Sequence, residues 1–263
     1  MMRKCTAALL VVGCLLTGVR ADSPPKNSEF EKCTFTNPAG KQLPYRLLKP
    51  EGYDPSAMVT YPLVIFLHGI GERGSDNEAQ LLNGVREFAK PEIRKKHPCF
   101  VIAPQCPAEQ FWITADRKGF DIIVKMPKAP AEPLGLVHEL MDSLPAQYHI
   151  DQTRIYATGL SMGGFGTWDM LARWPDRFAA AIPVCGGGYE PAVPNFAKIP
   201  IWVFHGGADP LVKAAYSRTM VDAIRKAGGK PGYTEYPGVG HESWVQTYRN
   251  PDVLEWLFAQ KKD

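Results

Sequence analysis

The chain has 263 residues, of which 45% are hydrophobic and 22% are charged, with a formal net charge of +3 at pH 7. This length suits one large α/β domain or two small ones. The ordinary hydrophobic fraction argues against a disordered protein. The small net charge argues against a nucleic-acid-binding domain, which would show a strong basic stripe.

The N-terminus predicts an export signal. Arg3 and Lys4 precede an apolar stretch over residues 6–17, which is shorter than the ~20 residues that a membrane-spanning helix needs. Val19 and Ala21 then suit the small-residue positions of a cleavage site, so we expect cleavage after Ala21 and a secreted or periplasmic protein. Residues 22–30 are expected to form a flexible mature N-terminus, followed by a single domain over residues 31–263.

A second interpretation makes the chain a lipoprotein anchored at Cys14, because residues 11–14 resemble a bacterial lipobox. In the favoured interpretation, cleavage of residues 1–21 removes three basic residues and no acidic ones, which leaves a formally neutral protein. Nothing electrostatic then indicates binding to nucleic acid or to an anionic membrane.

Four cysteines remain after this cleavage: Cys33, Cys99, Cys106 and Cys185. Export permits disulfides, but buried free thiols are equally compatible with a domain of this size. The spacing contains no CxxC pair, so a zinc site is not indicated.

Apolar runs alternate with helical patterns along the rest of the chain. The predicted elements are, in order, strands at 33–36, 42–48 and 63–67, a helical stretch at 81–96 with Pro91 as a candidate break, a strand at 100–103, a long irregular connection at 106–131, a helix at 132–148, a strand at 154–158, a helix at 162–174, strands at 179–184 and 201–204, a helix at 211–227, a strand at 233–236 and a helix at 251–261. This alternation predicts an α/β fold with a mostly parallel sheet covered by helices on both faces.

The most informative motif is Gly159-Leu160-Ser161-Met162-Gly163, which follows a predicted strand and opens a predicted helix. This is the setting of a nucleophile elbow, where a sharp turn presents a serine hydroxyl above the sheet. The glycines keep Cβ atoms out of the turn. The alternative is a glycine-rich turn without chemistry.

A serine nucleophile needs a base, and the base needs an orienting carboxylate. Asp209 follows the strand at 201–204, and His241 lies in a glycine-rich loop after the strand at 233–236, in the chain order that this architecture uses. Asp209 could instead cap the following helix, and His241 could be an ordinary loop residue. His205 is predicted to be a packed structural residue.

An oxyanion hole also needs donors from the loop after the strand at 63–67. This loop is glycine-rich, and we expect the backbone N–H groups of Ile70 and Met162 to be the donors. Glu72 and Arg73 are expected to pair with each other or to brace this loop.

With these residues in place, the chain resembles the α/β-hydrolases, and within them exported bacterial carboxylesterases related to phospholipase/carboxylesterases, feruloyl esterases and polyhydroxybutyrate depolymerases. The segments that carry the resemblance are 67–74, 103–107, 159–164, 205–209 and 238–244. The resemblance implies Ser161 as nucleophile, Asp209 as acid and His241 as base, with Gln105, Trp112 and Trp244 lining the substrate pocket.

The resemblance further implies a secreted serine esterase that acts on short or aromatic acyl esters, including esters linked to plant polysaccharide, without a metal or organic cofactor. Residues 186–200 leave no room for a large cap domain, so the connection at 106–131 is expected to cover the site. The alternatives are a peptidase of the prolyl-oligopeptidase type and a non-catalytic binding protein of the same fold. No membrane span is expected, and the sequence assigns no oligomeric state.

Overall fold

The computed structural model describes residues 29–118 and 121–262 of the chain. The predicted export signal, the lipobox at Cys14 and most of the 22–30 segment lie outside these residues. None of the helices in the described part has both the length and the apolarity needed to cross a membrane.

The described residues form an eight-stranded sheet, a separate two-stranded hairpin and helices between them. The strands are β1 (Glu31–Thr36), β2 (Gln42–Leu48), β3 (Tyr61–Leu67), β4 (Phe100–Pro104), β5 (Thr114–Lys118), β6 (Asp121–Lys125), β7 (Ile150–Leu160), β8 (Ala180–Val184), β9 (Trp202–Gly206) and β10 (Gly232–Tyr236). The α-helices are α1 (Pro91–Lys96), α2 (Glu132–Ser143), α3 (Met162–Arg173), α4 (Ala215–Lys226), α5 (Trp244–Arg249) and α6 (Pro251–Phe258).

The large sheet has the strand order β1-β2-β4-β3-β7-β8-β9-β10. The β1/β2 and β2/β4 pairs are antiparallel, and every pair from β4 to β10 is parallel. The carboxyl ends of the parallel strands therefore share one edge, which is where open α/β sheets place their sites.

Both faces of the sheet are buried. Along β3, Leu63, Ile65 and Leu67 belong to one hydrophobic cluster, and Val64 and Phe66 belong to the other. Successive strand residues point to opposite faces, so a continuous apolar run indicates a strand that is buried on both sides. Helices α2, α3 and α4 pack in the first cluster, and α5 and α6 pack in the second. This arrangement confirms the predicted fold class.

The stretch at 81–96 is not the helix that the sequence predicted. It contains a 3-10 turn at Val85–Ala89 and only the short helix α1. Gly84 interrupts the stretch with φ +74°, and a Cβ there would lie 2.7 Å from the ring of Tyr248. Close packing against that ring, which lies on α5, sets the local backbone here.

The connection at 106–131 was predicted to be irregular, but it contains the antiparallel hairpin β5–β6. The helix expected from Leu211 begins four residues later, because residues 211–214 form a turn. Between β8 and β9 the chain has one 3-10 segment, Glu190–Asn195, and no cap domain, as predicted.

Candidate active site

Ser161 occupies the sharp turn between β7 and α3. Its backbone has φ +54° and ψ −117°, a region that non-glycine residues rarely adopt. The Ser161 N–H donates to the Val184 carbonyl at 3.0 Å and approaches Cys185 Sγ at 3.3 Å. The turn is thus tied to the end of β8, and Ser161 is held in the strained conformation that the predicted elbow requires.

The glycines of the turn allow close backbone approach. A Cβ on Gly163 would lie 1.9 Å from the Leu67 carbonyl oxygen, and a Cβ on Gly159 would lie 2.5 Å from the Gly163 carbonyl oxygen. Both distances are far below van der Waals contact, so the turn can pass against β3 only with glycine at these positions.

Ser161, His241 and Asp209 form one hydrogen-bonded chain. Ser161 Oγ lies 2.8 Å from His241 Nε2, and His241 Nδ1 lies 2.6 Å from Asp209 Oδ2. A carboxylate can only accept, so Nδ1 carries the proton and leaves the Nε2 lone pair free for the serine hydroxyl. The Asp209 side chain is fully buried, whereas His241 is partly exposed at the site.

Asp209 does not cap the following helix, since α4 begins only at Ala215 and has no side-chain cap, but it caps the turn before that helix. Its Oδ1 accepts hydrogen bonds from the backbone N–H groups of Leu211 at 2.8 Å and Val212 at 2.9 Å. These bonds stabilise the turn that precedes α4, so one carboxylate oxygen orients the loop and the other binds His241.

Ile70 and Met162 both line the cavity that contains Ser161. Within the described residues, neither backbone N–H has a hydrogen-bond acceptor. A Cβ on Gly69 would lie 3.6 Å from the Ser161 Cβ, which places this loop directly beside the serine. Two unpaired donors next to a serine hydroxyl suit the stabilisation of an oxyanion.

Arg73 braces the loop that carries Ile70. Its Nε donates to the Ile70 carbonyl at 3.1 Å and its Nη1 donates to the Gln110 carbonyl at 3.2 Å. The guanidinium also lies 4.7 Å from the ring centroid of Phe111. Glu72 accepts from Asn83 Nδ2 at 2.5 Å, so both charged residues brace the loop and do not pair with each other.

His68, directly before this loop, is buried in its neutral form. The Cys106 N–H donates to Nε2 at 2.9 Å, and Nδ1 lies 2.6 Å from the Gly69 carbonyl oxygen, which can only accept. These partners require a proton on Nδ1 alone. Burial lowers the pKa of His68 to about 4, so the ring stays neutral at neutral pH.

The cavity beside Ser161 has a volume of about 510 Å³ and a largely apolar wall. The side chains that line it besides Ser161 and His241 are Ile70, Phe111, Ile113, Ala115, Ile122, Met162, Phe165, Pro210, Leu211 and Val212. The hairpin and the residues before it form one wall, which agrees with the expectation that residues 106–131 cover the site. The described lining residues include no carboxylate, lysine or arginine.

Gln105, Trp112 and Trp244 do not line this cavity, and the expectation for them has to be corrected. Gln105 is fully buried. Its Oε1 accepts a hydrogen bond from the Asn77 N–H, and its Nε2 donates one to the Asp76 carboxylate. Trp112 is also fully buried, with Nε1 donating to the His68 carbonyl at 3.0 Å. Trp244 is 8% exposed and packs edge-on against the His241 ring.

The apolar wall of the cavity was not predicted from the sequence. Phe111 lies in the cavity while its neighbour Trp112 faces the core, and the pattern of residues 106–131 did not distinguish the two. Period-two alternation in β5 and β6 was the available signal, because Ala115 and Ile122 lie between exposed residues.

One cluster in the described part of the chain has three groups of the kind that bind metals. Ligand atoms of Cys185, Asp209 and His241 lie within 4.8 Å of one another. The Asp209 and His241 atoms are already hydrogen-bonded to each other at 2.6 Å, and burial raises the pKa of the Cys185 thiol, which favours its protonated form. This donor set fits a hydrogen-bonded site better than a metal centre.

Comparison with known proteins agrees with this geometry. Residues 55–250 match the sequence profile of the phospholipase/carboxylesterase family. The chain belongs to this family. The assignment places it among the α/β-hydrolases.

Similar proteins carry related names. The crystal structure of a thermostable esterase has 44% sequence identity and a TM-score of 0.82, over 90% of this chain and 64% of that one. Poly(3-hydroxyalkanoate) depolymerase C of Paucimonas lemoignei is 31% identical over 59% of this chain and 33% of its own length. A probable feruloyl esterase C of Aspergillus terreus is 27% identical over 64% of this chain and 55% of its own length. The chain thus spans less than two thirds of the length of each of these relatives.

Proposed function

We propose that this phospholipase/carboxylesterase family member hydrolyses uncharged carboxylic esters with short or aromatic acyl groups, using Ser161, His241 and Asp209 as its catalytic residues. The observation that carries the proposal is the hydrogen-bonded chain of these three side chains at an apolar cavity, beside two unpaired backbone N–H groups.

In the first half of the reaction, Ser161 Oγ attacks the ester carbonyl carbon and His241 Nε2 takes the hydroxyl proton. The negative charge of the tetrahedral intermediate falls on the former carbonyl oxygen, where the N–H groups of Ile70 and Met162 donate to it. Asp209 stabilises the imidazolium. The intermediate then collapses, His241 returns the proton to the leaving alkoxide, and an acyl-enzyme remains.

In the second half, a water molecule takes the place of the alcohol. His241 Nε2 removes one of its protons while the water oxygen attacks the acyl carbon. The second tetrahedral intermediate expels Ser161 Oγ, which regains the proton from His241. The carboxylic acid leaves and the free enzyme is restored.

The shape and polarity of the cavity support the proposed substrate class. Its volume of about 510 Å³ lies within the ~300–1,000 Å³ typical of small-molecule pockets. The apolar wall suits an uncharged acyl group, and an aromatic ring would pack well against Phe111 and Phe165. One relative is named a probable feruloyl esterase, which is consistent with an aromatic acyl group.

A substrate panel tests this proposal. Purified protein would be assayed on p-nitrophenyl acetate, p-nitrophenyl butyrate, methyl ferulate, acetylated xylan and a matched p-nitroanilide, with Ser161→Ala as the control. We expect ester hydrolysis, and a loss of at least about 10⁴-fold in kcat in the variant. Amide hydrolysis that exceeds ester hydrolysis would contradict an esterase and favour a peptidase.

We also propose that the protein is exported, with residues 1–21 removed and residues 31–263 forming one catalytic domain. The charged, apolar and small-residue order of the N-terminus supports this proposal. Intact-mass measurement of the protein from a bacterial host should show a mature chain that begins at Asp22. A chain that begins at an acylated Cys14 would contradict it and favour the lipoprotein.

A further inference from the structure

A second histidine lies behind the acid of the proposed triad. His205 is on β9 and is fully buried, and its Nε2 lies 3.4 Å from Asp209 Oδ2. The same oxygen binds His241 Nδ1 at 2.6 Å. The carboxylate therefore lies between two imidazole rings, of which the proposed reaction uses only one.

The partners of His205 determine where its proton lies. The Val212 carbonyl, 2.9 Å from Nε2, can only accept a hydrogen bond, so Nε2 must carry a hydrogen. Nδ1 lies 2.7 Å from Ser217 Oγ, whose single hydrogen can go either to Nδ1 or to the Gly186 carbonyl oxygen at 3.0 Å. In a neutral ring with its proton on Nε2, this hydrogen goes to Nδ1, which is the shorter of the two contacts.

The surroundings of His205 favour this neutral form. Burial lowers the pKa of the ring, and the nearby charge of Asp209 opposes that effect only in part. The other titratable groups near the ring are His241, in the loop after β10, and Glu235 on β10. At neutral pH the ring therefore presents an N–H dipole, not a full positive charge, to the carboxylate.

We propose that His205 is a positioning residue that holds Asp209. Its Nε2–H bonds the Val212 carbonyl and lies 3.4 Å from Asp209 Oδ2, where the N–H dipole stabilises the buried negative charge and keeps that oxygen aimed at His241. No proton moves through His205. A buried carboxylate needs such donors because water cannot supply them. Asp209 Oδ1 is already saturated by the N–H groups of Leu211 and Val212.

Two substitutions separate this role from simple packing. In His205→Gln the side-chain amide reaches the position of Nε2 and keeps a donor there. In His205→Asn the shorter amide reaches only the position of Nδ1, beside Ser217. Both variants remain polar and neutral, so they differ chiefly in the donor at the position of Nε2, which faces both the Val212 carbonyl and Asp209.

The proposal rests on the proposed esterase activity, and both variants would be assayed for it. We expect His205→Asn to lower kcat at least about tenfold with KM unchanged, and His205→Gln to recover most of the loss. Wild-type kcat in His205→Asn, or a loss that His205→Gln does not recover, would overturn the proposal.

A double-variant cycle tests whether His205 acts through Asp209. In the Asp209→Asn background, His205→Asn should cause no further loss of kcat, because the charge that it supports is absent. Losses that multiply would overturn the proposal. An inactive wild type would instead defeat the esterase assignment, so the two failures are distinguishable.

A spectroscopic test needs no variant and therefore holds even if His205→Asn does not fold. In wild-type protein labelled with ¹³C and ¹⁵N, the ring nitrogens of His205 should show protonated Nε2 and unprotonated Nδ1 at pH 7. A proton on Nδ1 alone would overturn the proposal, since Nε2 would then offer Asp209 a lone pair.

Discussion

At the level of single residues, Asp209 and His68 each have an identified hydrogen-bond partner at every polar side-chain atom. Asp209 shows this most clearly, because Oδ1 caps the turn at residues 211–212 while Oδ2 binds His241. The sequence offered a helix cap as the alternative use of Asp209, and the structure has a cap of the preceding turn in its place. His68 follows the same rule, since its N–H donor and its acceptor nitrogen each have one backbone partner.

The buried neutral His68 makes the stability of the protein depend on pH. The pKa of His68 is about 4 in the folded chain and about 6.5 when unfolded, so between these values the unfolded chain binds a proton that the folded chain does not. Stability is therefore lost as the pH falls from about 6.5 toward 4. Between pH 7 and pH 4.5, we expect the unfolding free energy of His68→Gln to fall by about 2 kcal/mol less than that of the wild type.

Urea unfolding of the wild type and of His68→Gln at both pH values measures this contribution. The variant should be less stable at pH 7 and should show a shallower decline. A variant that declines as steeply as the wild type would show that His68 does not carry the effect.

The sequence predicted which side chains meet where chemistry restricts the choice, but not where only packing does. A serine, an acid and a histidine after three of the parallel strands pointed to Ser161, Asp209 and His241, and the structure brings these side chains together. The three predicted pocket residues were wrong. For Trp112 the error was one position, because the sequence gives no reason for Phe111 to face the cavity and Trp112 to face the core.

At the level of secondary-structure elements, the site forms where β3, β7 and α3 pack closely together. Gly159 and Gly163 make this packing possible, because a Cβ on either residue would clash with the Leu67 carbonyl oxygen. The hairpin β5–β6 is the second determinant, because Ala115 and Ile122 supply part of the cavity wall. The Tyr216 hydroxyl on α4 accepts from the Ile122 N–H at 2.7 Å, which ties the hairpin to that helix.

Gly163→Ala tests the crossing of these elements. The new Cβ would lie 1.9 Å from the Leu67 carbonyl oxygen, so α3 or β3 must shift. We expect a loss of more than about 3 kcal/mol in unfolding free energy, or no folded protein. Gly71→Ala is the matched control, since no atom lies within 4 Å of its Cβ. Equal stability of the two variants would contradict the packing account.

Ala115→Leu tests the hairpin as a wall of the acyl pocket. The longer side chain would occupy space beside Ile122, so kcat/KM on methyl ferulate should fall at least about tenfold while that on p-nitrophenyl acetate stays within about twofold. Asp116→Leu is the control, because Asp116 is exposed on the opposite face of the same strand. Equal losses on both esters would argue against a role in acyl selection.

The elements that the sequence did not predict are those set by distant contacts. Gly84 breaks the stretch at 81–96 because it packs against the Tyr248 ring, more than 160 residues away. The hairpin within 106–131 is short and half exposed, so its alternation is weak beside that of the buried strands. Long parallel strands with continuous apolar runs were predicted within a few residues.

At the scale of the whole molecule, a mostly parallel sheet covered on both faces brings the ends of β3, β7, β9 and β10 to one edge. The alternation of strands and helices was sufficient to predict this class. The strand order was not predicted, because it depends on which strands pair across long intervals. The two hydrophobic clusters hold the sheet without covalent cross-links among the described residues, where all four cysteines are free.

These thiols settle the choice that the sequence left open. Cys99, Cys106 and Cys185 are buried and lie in the core clusters. Protein that comprises residues 22–263 would be purified without reductant. We expect it to yield four free thiols on denaturation, and we expect dithiothreitol to leave its Tm unchanged. A Tm that falls on reduction, with fewer than four thiols before it, would show a disulfide.

If Ser161 is the nucleophile of a serine hydrolase, a fluorophosphonate should react with it. The purified protein would be labelled with this reagent and examined by intact-mass measurement and peptide mapping. We expect one adduct per chain, located on Ser161, and no adduct in Ser161→Ala, which should fold as the wild type does. No labelling of the wild type, or labelling of a different serine, would contradict this role of Ser161.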